Sequence, residues 1–165
     1  PFPRRCPVTD PTPTPATVLD GPEGVKAAVG SHLGYSEWLE VDQERVNLFA
    51  DATGDHQWIH VDPERAKDGP FGAPIAHGYL TMSLSNYFMP QIVETRGFSA
   101  GVNYGVDKVR FIPPVKVGDR VRGGAELVEV SEVNGGIQTL VRITIEVEGG
   151  TKPACVIDSL SRWLF

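Results

Sequence analysis

Two short stretches of the sequence combine side chains capable of acid–base chemistry with glycines that shape the backbone. In the first, Asp55 and His60 stand five residues apart, directly after Gly54, which is expected to end a helix. In the second, His77 and Gly78 open an apolar segment. A carboxylate, an imidazole and a backbone amide at a helix start suit the addition of water to an activated carbonyl compound.

The residues before Gly54 predict the helix that positions this first stretch. Asp42 is a suitable N-cap, and apolar residues recur at helical spacing from Val46 onwards. Asp62 followed by Pro63 predicts the cap and the first position of another short helix.

The rest of the chain predicts a long helix and a sheet. Residues 79–89 are apolar nearly all round, which predicts a helix buried on most sides, and Pro90 should end or kink it. Period-two patterns predict about five strands over residues 35–41, 102–111, 120–130, 137–147 and 154–164. We expect a bulge at Asp107–Lys108 and a hairpin turn at residues 134–136. The predicted fold class is α+β, an antiparallel sheet wrapped around a central apolar helix.

Length and composition limit the function classes. A chain of 165 residues has room for one core, and we expect an extended or disordered proline-rich leader over residues 1–23 and a single domain over 24–165. A net charge of −6 without a basic cluster argues against nucleic-acid binding. No apolar run approaches the roughly 20 residues needed to cross a bilayer, so no membrane partner is expected.

Cysteine content and sheet geometry add two further expectations. Two isolated cysteines, Cys6 and Cys155, are typical of a reducing cytoplasm. Because a sheet of this size exposes edges, we expect the chain to pair with a second copy as a homodimer.

Residues 49–66 resemble the hydratase signature of the MaoC-like, (R)-specific enoyl-CoA hydratases. The matching positions are Phe49, Gly54–Asp55, Ile59–His60 and Ala66, and residues 74–78 are similar to the family's turn into its central helix. The likeness runs from about Tyr35 to the C-terminus.

This resemblance implies a hot-dog fold and the reversible hydration of trans-2-enoyl-CoA to (3R)-hydroxyacyl-CoA, in fatty acid metabolism and without a cofactor or a resident metal. It implies that Asp55 and His60 hold and activate a water, and that the Gly78 amide binds the thioester oxygen. We expect ionised Asp55 to accept a proton from the water and neutral His60 to donate to it.

Other residues are assigned around this centre. His77, Asn86 and Gln57 are expected to support it, with Asn86 counted to the position where some members carry a serine. Trp58, Tyr79 and Ser83 are expected to contact the substrate, although Gln57–Trp58 replaces the Asn-Pro common in the family. The basic residues expected to meet the carrier phosphates are Arg65, Lys108, Arg110 and Lys116.

Three alternatives compete with hydration. His56 and His60, with Asp55 or Asp62, could hold a metal if the segment were helical. The chain could instead be a hot-dog acyl-CoA thioesterase, which would release free thiol. It could also be a binding protein that holds an acyl thioester without turning it over.

Overall fold

The structure is a computed structural model that describes Pro15 and residues 17–165. In chain order its elements are β1 Thr17–Asp20, α1 Gly21–Ala27, β2 His32–Tyr35, β3 Leu39–Glu40, α2 Gln43–Thr53, α3 Trp58–Val61, α4 Pro63–Lys67, α5 Gly78–Ser83, α6 Ser85–Ile92, β4 Val93–Arg96, β5 Ala100–Phe111, β6 Arg120–Val133, β7 Gly136–Val147 and β8 Cys155–Leu164. The larger sheet has the order β2-β6-β7-β8-β5, with β3 also paired to β6.

The antiparallel ladder follows the sequence pattern closely. Alternation over β7 turns Val141, Ile143 and Ile145 toward the core, as predicted. The turn between β6 and β7 contains Gly135 at φ 78°, in the left-handed region that a tight hairpin requires. The register between β5 and β8 shifts between Val106 and Lys108, which confirms the predicted bulge.

The central helix differs from the prediction in two ways. It continues past Pro90 to Ile92, and it is interrupted earlier, at Leu84, where α5 gives way to α6. Pro90 has no N–H to donate to the Asn86 carbonyl, and the helix ends two residues after it. Near the interruption, the Ser83 hydroxyl donates to the Tyr79 carbonyl, a back-bonding pattern that bends helices.

This helix is also buried on one side only. Leu80, Leu84 and Phe88, spaced four residues apart, lie against the sheet, whereas Tyr79 is 69% exposed and Tyr87 is 49% exposed. The prediction of burial on most sides is therefore wrong for the single chain, because none of the described residues covers the outer face.

Among the described residues, regular secondary structure begins before residue 24. Residues 17–20 form β1, which pairs in parallel with β4, and Gly21 begins α1. This pairing is tertiary and has no local signal, and the domain boundary expected at residue 24 stays a prediction. The rest of that leader, residues 1–14 and 16, lies outside the described residues.

The predicted strand over residues 35–41 is also wrong in part. The chain leaves β2 after Tyr35 and returns to β6 only at Leu39–Glu40. The Ser36 hydroxyl accepts from the Gly123 N–H in the interval, so a side chain replaces one backbone partner.

Within the described part of the chain, none of the helices has the length and apolar character that crossing a bilayer requires. Cys155, at the start of β8, is fully buried between β5 and β7.

Candidate active site

The carboxylate of the site follows a well-capped helix. The Asp42 carboxylate accepts from the Arg45 N–H at the start of α2, and Gly54 ends it at φ 80°. The chain leaves α2 in a loop that exposes Asp55, whose side chain is 55% accessible. The helix thus fixes where the loop begins while the carboxylate keeps contact with solvent.

His60 lies on α3 and is buried, with one ring nitrogen committed to the backbone. Its Nδ1 is 2.6 Å from the Ile75 carbonyl oxygen, which can only accept. Nδ1 therefore carries the proton, and in the neutral ring Nε2 presents a lone pair. The expectation that neutral His60 donates to a water is wrong for this geometry, because its free nitrogen is an acceptor.

Burial also keeps His60 neutral. Desolvation lowers the pKa of His60 below its ordinary value of 6.5, against a smaller opposing effect of the Ile75 carbonyl. The neighbouring His77 adds to the lowering.

His77 lies between the two elements and orients the loop. Its Nε2–H donates to the backbone carbonyl of Asp55 at 2.9 Å, and its ring stacks on His60 with centroids 3.8 Å apart. Among the described residues, its buried Nδ1 has no hydrogen-bond partner. His77 thus ties Asp55 to the start of α5.

Asp55, His60 and His77 converge on one small space. One carboxylate oxygen and one nitrogen from each ring lie within 4.8 Å of one another. A single water bridges groups at this separation, since each of its hydrogen bonds spans about 2.8 Å.

The same three residues are poorly arranged for a metal. A metal ion must lie in the plane of each imidazole that binds it, whereas these two rings stack face to face. The set proposed from the sequence does not converge either. His56 turns outward to Asp51, and the Asp62 carboxylate caps α4 by accepting from the Arg65 N–H.

Beside this cluster lies a cleft of about 290 Å³ that is lined by both His60 and Gly78. Gly78 begins α5, so its N–H is one of the first amides of the helix, which have no partner within it. A Cβ at Gly78 would stand 3.3 Å from the Phe111 ring, so the absence of a side chain keeps the cleft open. Asp55 is not part of the lining.

Two predicted residues are separated from this centre. Asn86 accepts from the Asn103 side chain at 3.2 Å, and Ser83 lines a different groove between α5 and β5. Neither residue lines the cleft beside His60 and Gly78, and the supporting role expected of Asn86 stays a prediction.

Three further residues lie nearby without lining the cleft. Trp58 packs on Arg65 at 4.3 Å and over Gly69, and its substrate contact stays a prediction. Gln57 is exposed, and its carbonyl accepts from the His60 N–H at the start of α3. Tyr79 is exposed, beside Phe111.

Sequence reasoning missed the residues that hold the site from a distance. Gln43 donates to the His60 carbonyl at 2.8 Å, Ile75 fixes the His60 tautomer, and Phe111 walls the cleft. Only Gln43 had a local signal, its place in the first turn of α2. Of the basic residues expected to meet the carrier phosphates, Lys116 pairs with Ile75 in an isolated antiparallel β-bridge, and Arg110 directly precedes Phe111 on β5.

Comparison with known proteins places this geometry in a family. The sequence profile described as MaoC like domain matches residues 25–149. The chain is 53% identical over 139 residues to 3-hydroxyacyl-thioester dehydratase Z of Mycobacterium tuberculosis, covering 84% of this chain and 92% of that one. It is 48% identical over 136 residues to nodulation protein N of Rhizobium leguminosarum bv. viciae, covering 79% and 83%.

A solved structure supports the same placement at the level of the fold. The (R)-hydratase from A. caviae superposes with a TM-score of 0.65 at 24% identity, covering 81% of this chain and 94% of that one. The predicted hot-dog fold is thereby confirmed. With the profile spanning most of its length, the chain belongs to the MaoC-like domain family.

Proposed function

We propose that the protein is a hydro-lyase that reversibly adds water to trans-2-enoyl-CoA and yields (3R)-hydroxyacyl-CoA. The observation that carries the proposal is the convergence of Asp55 and His60 within 4.8 Å, beside a cleft that His60 shares with Gly78. The relatives named as dehydratases support the class of reaction.

The two side chains would act on one water. The Asp55 carboxylate and the Nε2 lone pair of neutral His60 both accept, so a water between them donates both of its protons and keeps its lone pairs for attack. As its oxygen bonds to C3, one of its protons passes to this pair and the C2–C3 π electrons shift toward the thioester; the pair then returns a proton to C2 on the same face. A positioned acid–base pair of this kind contributes about 10²–10⁴-fold in rate.

Charge that develops on the thioester oxygen needs a donor in a dry site. We propose the Gly78 N–H for this role, since it is free of intrahelical bonding and lines the cleft. His77 would act as a positioning residue, because its ring holds the Asp55 backbone and packs on His60.

We also propose that two copies pair through β5. This strand is at the edge of the sheet, with Tyr104 54% and Val106 50% exposed, and the uncovered face of α5 lies beside it. Val106→Lys should give monomers in sedimentation experiments, while Val18→Lys, at a similarly exposed position on β1, should not. A monomeric wild type would overturn the pairing.

The test of the reaction is a hydration assay with a short trans-2-enoyl-CoA, followed by loss of the enoyl absorbance. Asp55→Asn and His60→Gln should each lose at least about 10²-fold in kcat. Asp51→Asn, an exposed carboxylate on α2, is the matched control and should keep the wild-type rate. Full activity in both site variants would refute the proposal.

The same assay separates the alternatives. A thioesterase would release free thiol, and a binding protein would bind the thioester without turnover, regardless of Asp55→Asn. Chiral analysis of the hydrated product tests the (3R) assignment independently.

A further inference from the structure

The cleft that His60 shares with Gly78 has few polar side chains. Among the described residues that line it, only His60 and Thr81 carry one, and the rest of the lining is apolar or glycine. Thr81 is 4% exposed and lies three residues after Gly78 on α5. Burying a hydroxyl is costly unless it is hydrogen-bonded, so the bonds that Thr81 makes decide what its hydroxyl is free to do.

Thr81 faces the same side of α5 as Gly78. Residues three apart in an α-helix are neighbours on its surface. The Cα–Cβ bonds of a helix also tilt toward its N-terminus, so the Thr81 side chain leans over the turn that contains the Gly78 N–H. Both residues line the cleft. The amide and the hydroxyl are therefore presented to the same space.

The protein holds the Thr81 hydroxyl only weakly. It donates to the His77 carbonyl at 3.2 Å, whereas Ser83 and Thr53 make the same kind of bond, to the carbonyl four residues earlier, at 2.7 Å. An O–H···O hydrogen bond is usually about 2.5–3.0 Å long. The His77 carbonyl also accepts from the Thr81 N–H at 3.0 Å, so it keeps a partner when the hydroxyl turns away.

A hydroxyl that rotates at little cost suits an acceptor that appears only during the reaction. In the proposed hydration, negative charge develops on the thioester oxygen as the water bonds to C3. The Gly78 N–H is so far the one donor assigned to this oxygen, which has lone pairs for another. Side-chain hydroxyls act beside backbone N–H groups in sites of this kind, and their effect is largest where water is excluded.

We propose that Thr81 is a catalytic residue whose hydroxyl donates a second hydrogen bond to the thioester oxygen in the transition state. This role rests on the proposed hydration reaction and adds a donor to it. The hydroxyl keeps its proton throughout. It stabilises the charge while the C2–C3 π electrons are shifted toward the thioester, and it returns to the His77 carbonyl once C2 has been protonated.

The experiment compares two pairs of side chains at position 81 that differ in the hydroxyl. Threonine and valine share a branched shape, and serine differs from alanine by one oxygen. Hydration of trans-2-butenoyl-CoA is measured for the wild type, Thr81→Val, Thr81→Ser and Thr81→Ala. Thr81→Val and Thr81→Ala should each lose about 10²-fold in kcat, the scale expected for one oxyanion donor. Thr81→Ser should stay within about fivefold of the wild type because it keeps the donor.

Substrate binding should be affected much less than kcat. Because the second hydrogen bond forms only as charge develops, KM should change by less than about threefold in Thr81→Val. The dissociation constant of butyryl-CoA, a saturated analogue on which no such charge develops, should equal that of the wild type in isothermal titration calorimetry.

Thr139→Val is the matched control for the loss of a buried hydroxyl. Thr139 is 3% exposed and does not line the cleft, and its hydroxyl accepts from the Trp163 side chain. This variant should lose stability, because the Trp163 N–H is left without that partner, and keep the wild-type kcat. Thr81→Val leaves the His77 carbonyl with the Thr81 N–H, so its denaturant midpoint should stay close to that of the wild type.

The outcomes that overturn this role are distinct from failure of the proposed function. If the wild type hydrates butenoyl-CoA and Thr81→Val keeps its kcat, or raises KM alone, the hydroxyl is not a transition-state donor and the hydration reaction stands. A loss in Thr81→Ser as large as that in Thr81→Val would also overturn the role. If the wild type hydrates no enoyl thioester, the proposed function fails and the role of Thr81 fails with it.

Discussion

The β6–β7–β8 ladder and the site segment over residues 54–78 are built by different interactions. In the ladder, each strand pairs regularly with its neighbour and turns alternate side chains inward. In the site segment, two histidine rings bond to backbone carbonyls 15 and 22 residues away in sequence. The ladder therefore depends on summed burial, whereas the site depends on a few directed bonds. Mutations in the ladder should therefore lower stability more than activity, and mutations in the site segment should lower activity more than stability.

The largest effect is expected for the double variant Asp55→Asn/His60→Gln. Because the two side chains would act on one water, removing both should cost little more than removing the more damaging one alone. The expected loss in kcat is about 10²–10⁴-fold. Steady-state kinetics on the two single variants and the double variant check this, and losses that multiply would show independent roles.

In the ladder, Ile145→Ala should destabilise the fold by about 2–5 kcal/mol, because Ile145 is fully buried on β7. The folded fraction should keep kcat/KM within about twofold. Denaturant unfolding and the hydration assay measure the two quantities. Thr144→Ala, which removes a side chain from the opposite face, is the control, and a comparable destabilisation there would contradict this account.

His77→Phe keeps a ring against His60 but removes the donor to the Asp55 carbonyl. We expect kcat to fall about 10–100-fold with a smaller change in KM, because misplacement of a reacting group by about 1 Å can cost 10²-fold. His77→Gln retains an N–H donor and should recover part of the rate. Equal losses in both variants would argue against the hydrogen bond.

The pH dependence should report His60. Its pKa is lowered by burial, so the unfolded chain binds this proton more readily, and stability should decline as pH falls through 6.5. If catalysis requires the neutral His60 ring, protonation of this ring should lower kcat/KM by less than half at pH 6.5. A fall of kcat/KM with acid whose midpoint lies above pH 6.5 would contradict the assignment.

The smallest effect is expected for Gly54→Ala. The residue ends α2 at φ 80°, where a side chain is strained although nothing stands within 4 Å of its Cβ. The cost should be about 1 kcal/mol in unfolding free energy, measured by thermal or denaturant unfolding. A neutral result would contradict this, because it would mean that the backbone at residue 54 leaves the left-handed region at no cost.

The same contrast explains what the sequence could predict. Some features have a local sequence signal, and each of them lies where the pattern indicated. They are the alternation over β7, the bulge at Asp107 and the helix caps at Asp42 and Asp62. The hydratase signature identified Asp55 and His60 because their spacing is itself local. These features need no knowledge of the tertiary fold.

What the sequence missed depends on distant partners. The β1–β4 pair joins segments more than 70 residues apart, and the His60 tautomer is set by the Ile75 carbonyl. The contact between Asn86 and Asn103 joins α6 to β5, 17 residues away in sequence. Such features follow from the folded geometry alone.

The burial of Cys155 has a practical consequence. Enclosure in β8 raises the pKa of its thiol to about 11, and only a thiolate attacks alkylating reagents readily. In a Cys6→Ser background, the rate of labelling at this single thiol would measure how often the strand detaches under native conditions. Mass spectrometry of the labelled protein would therefore give the rate of rare opening events at β8 without the use of denaturant.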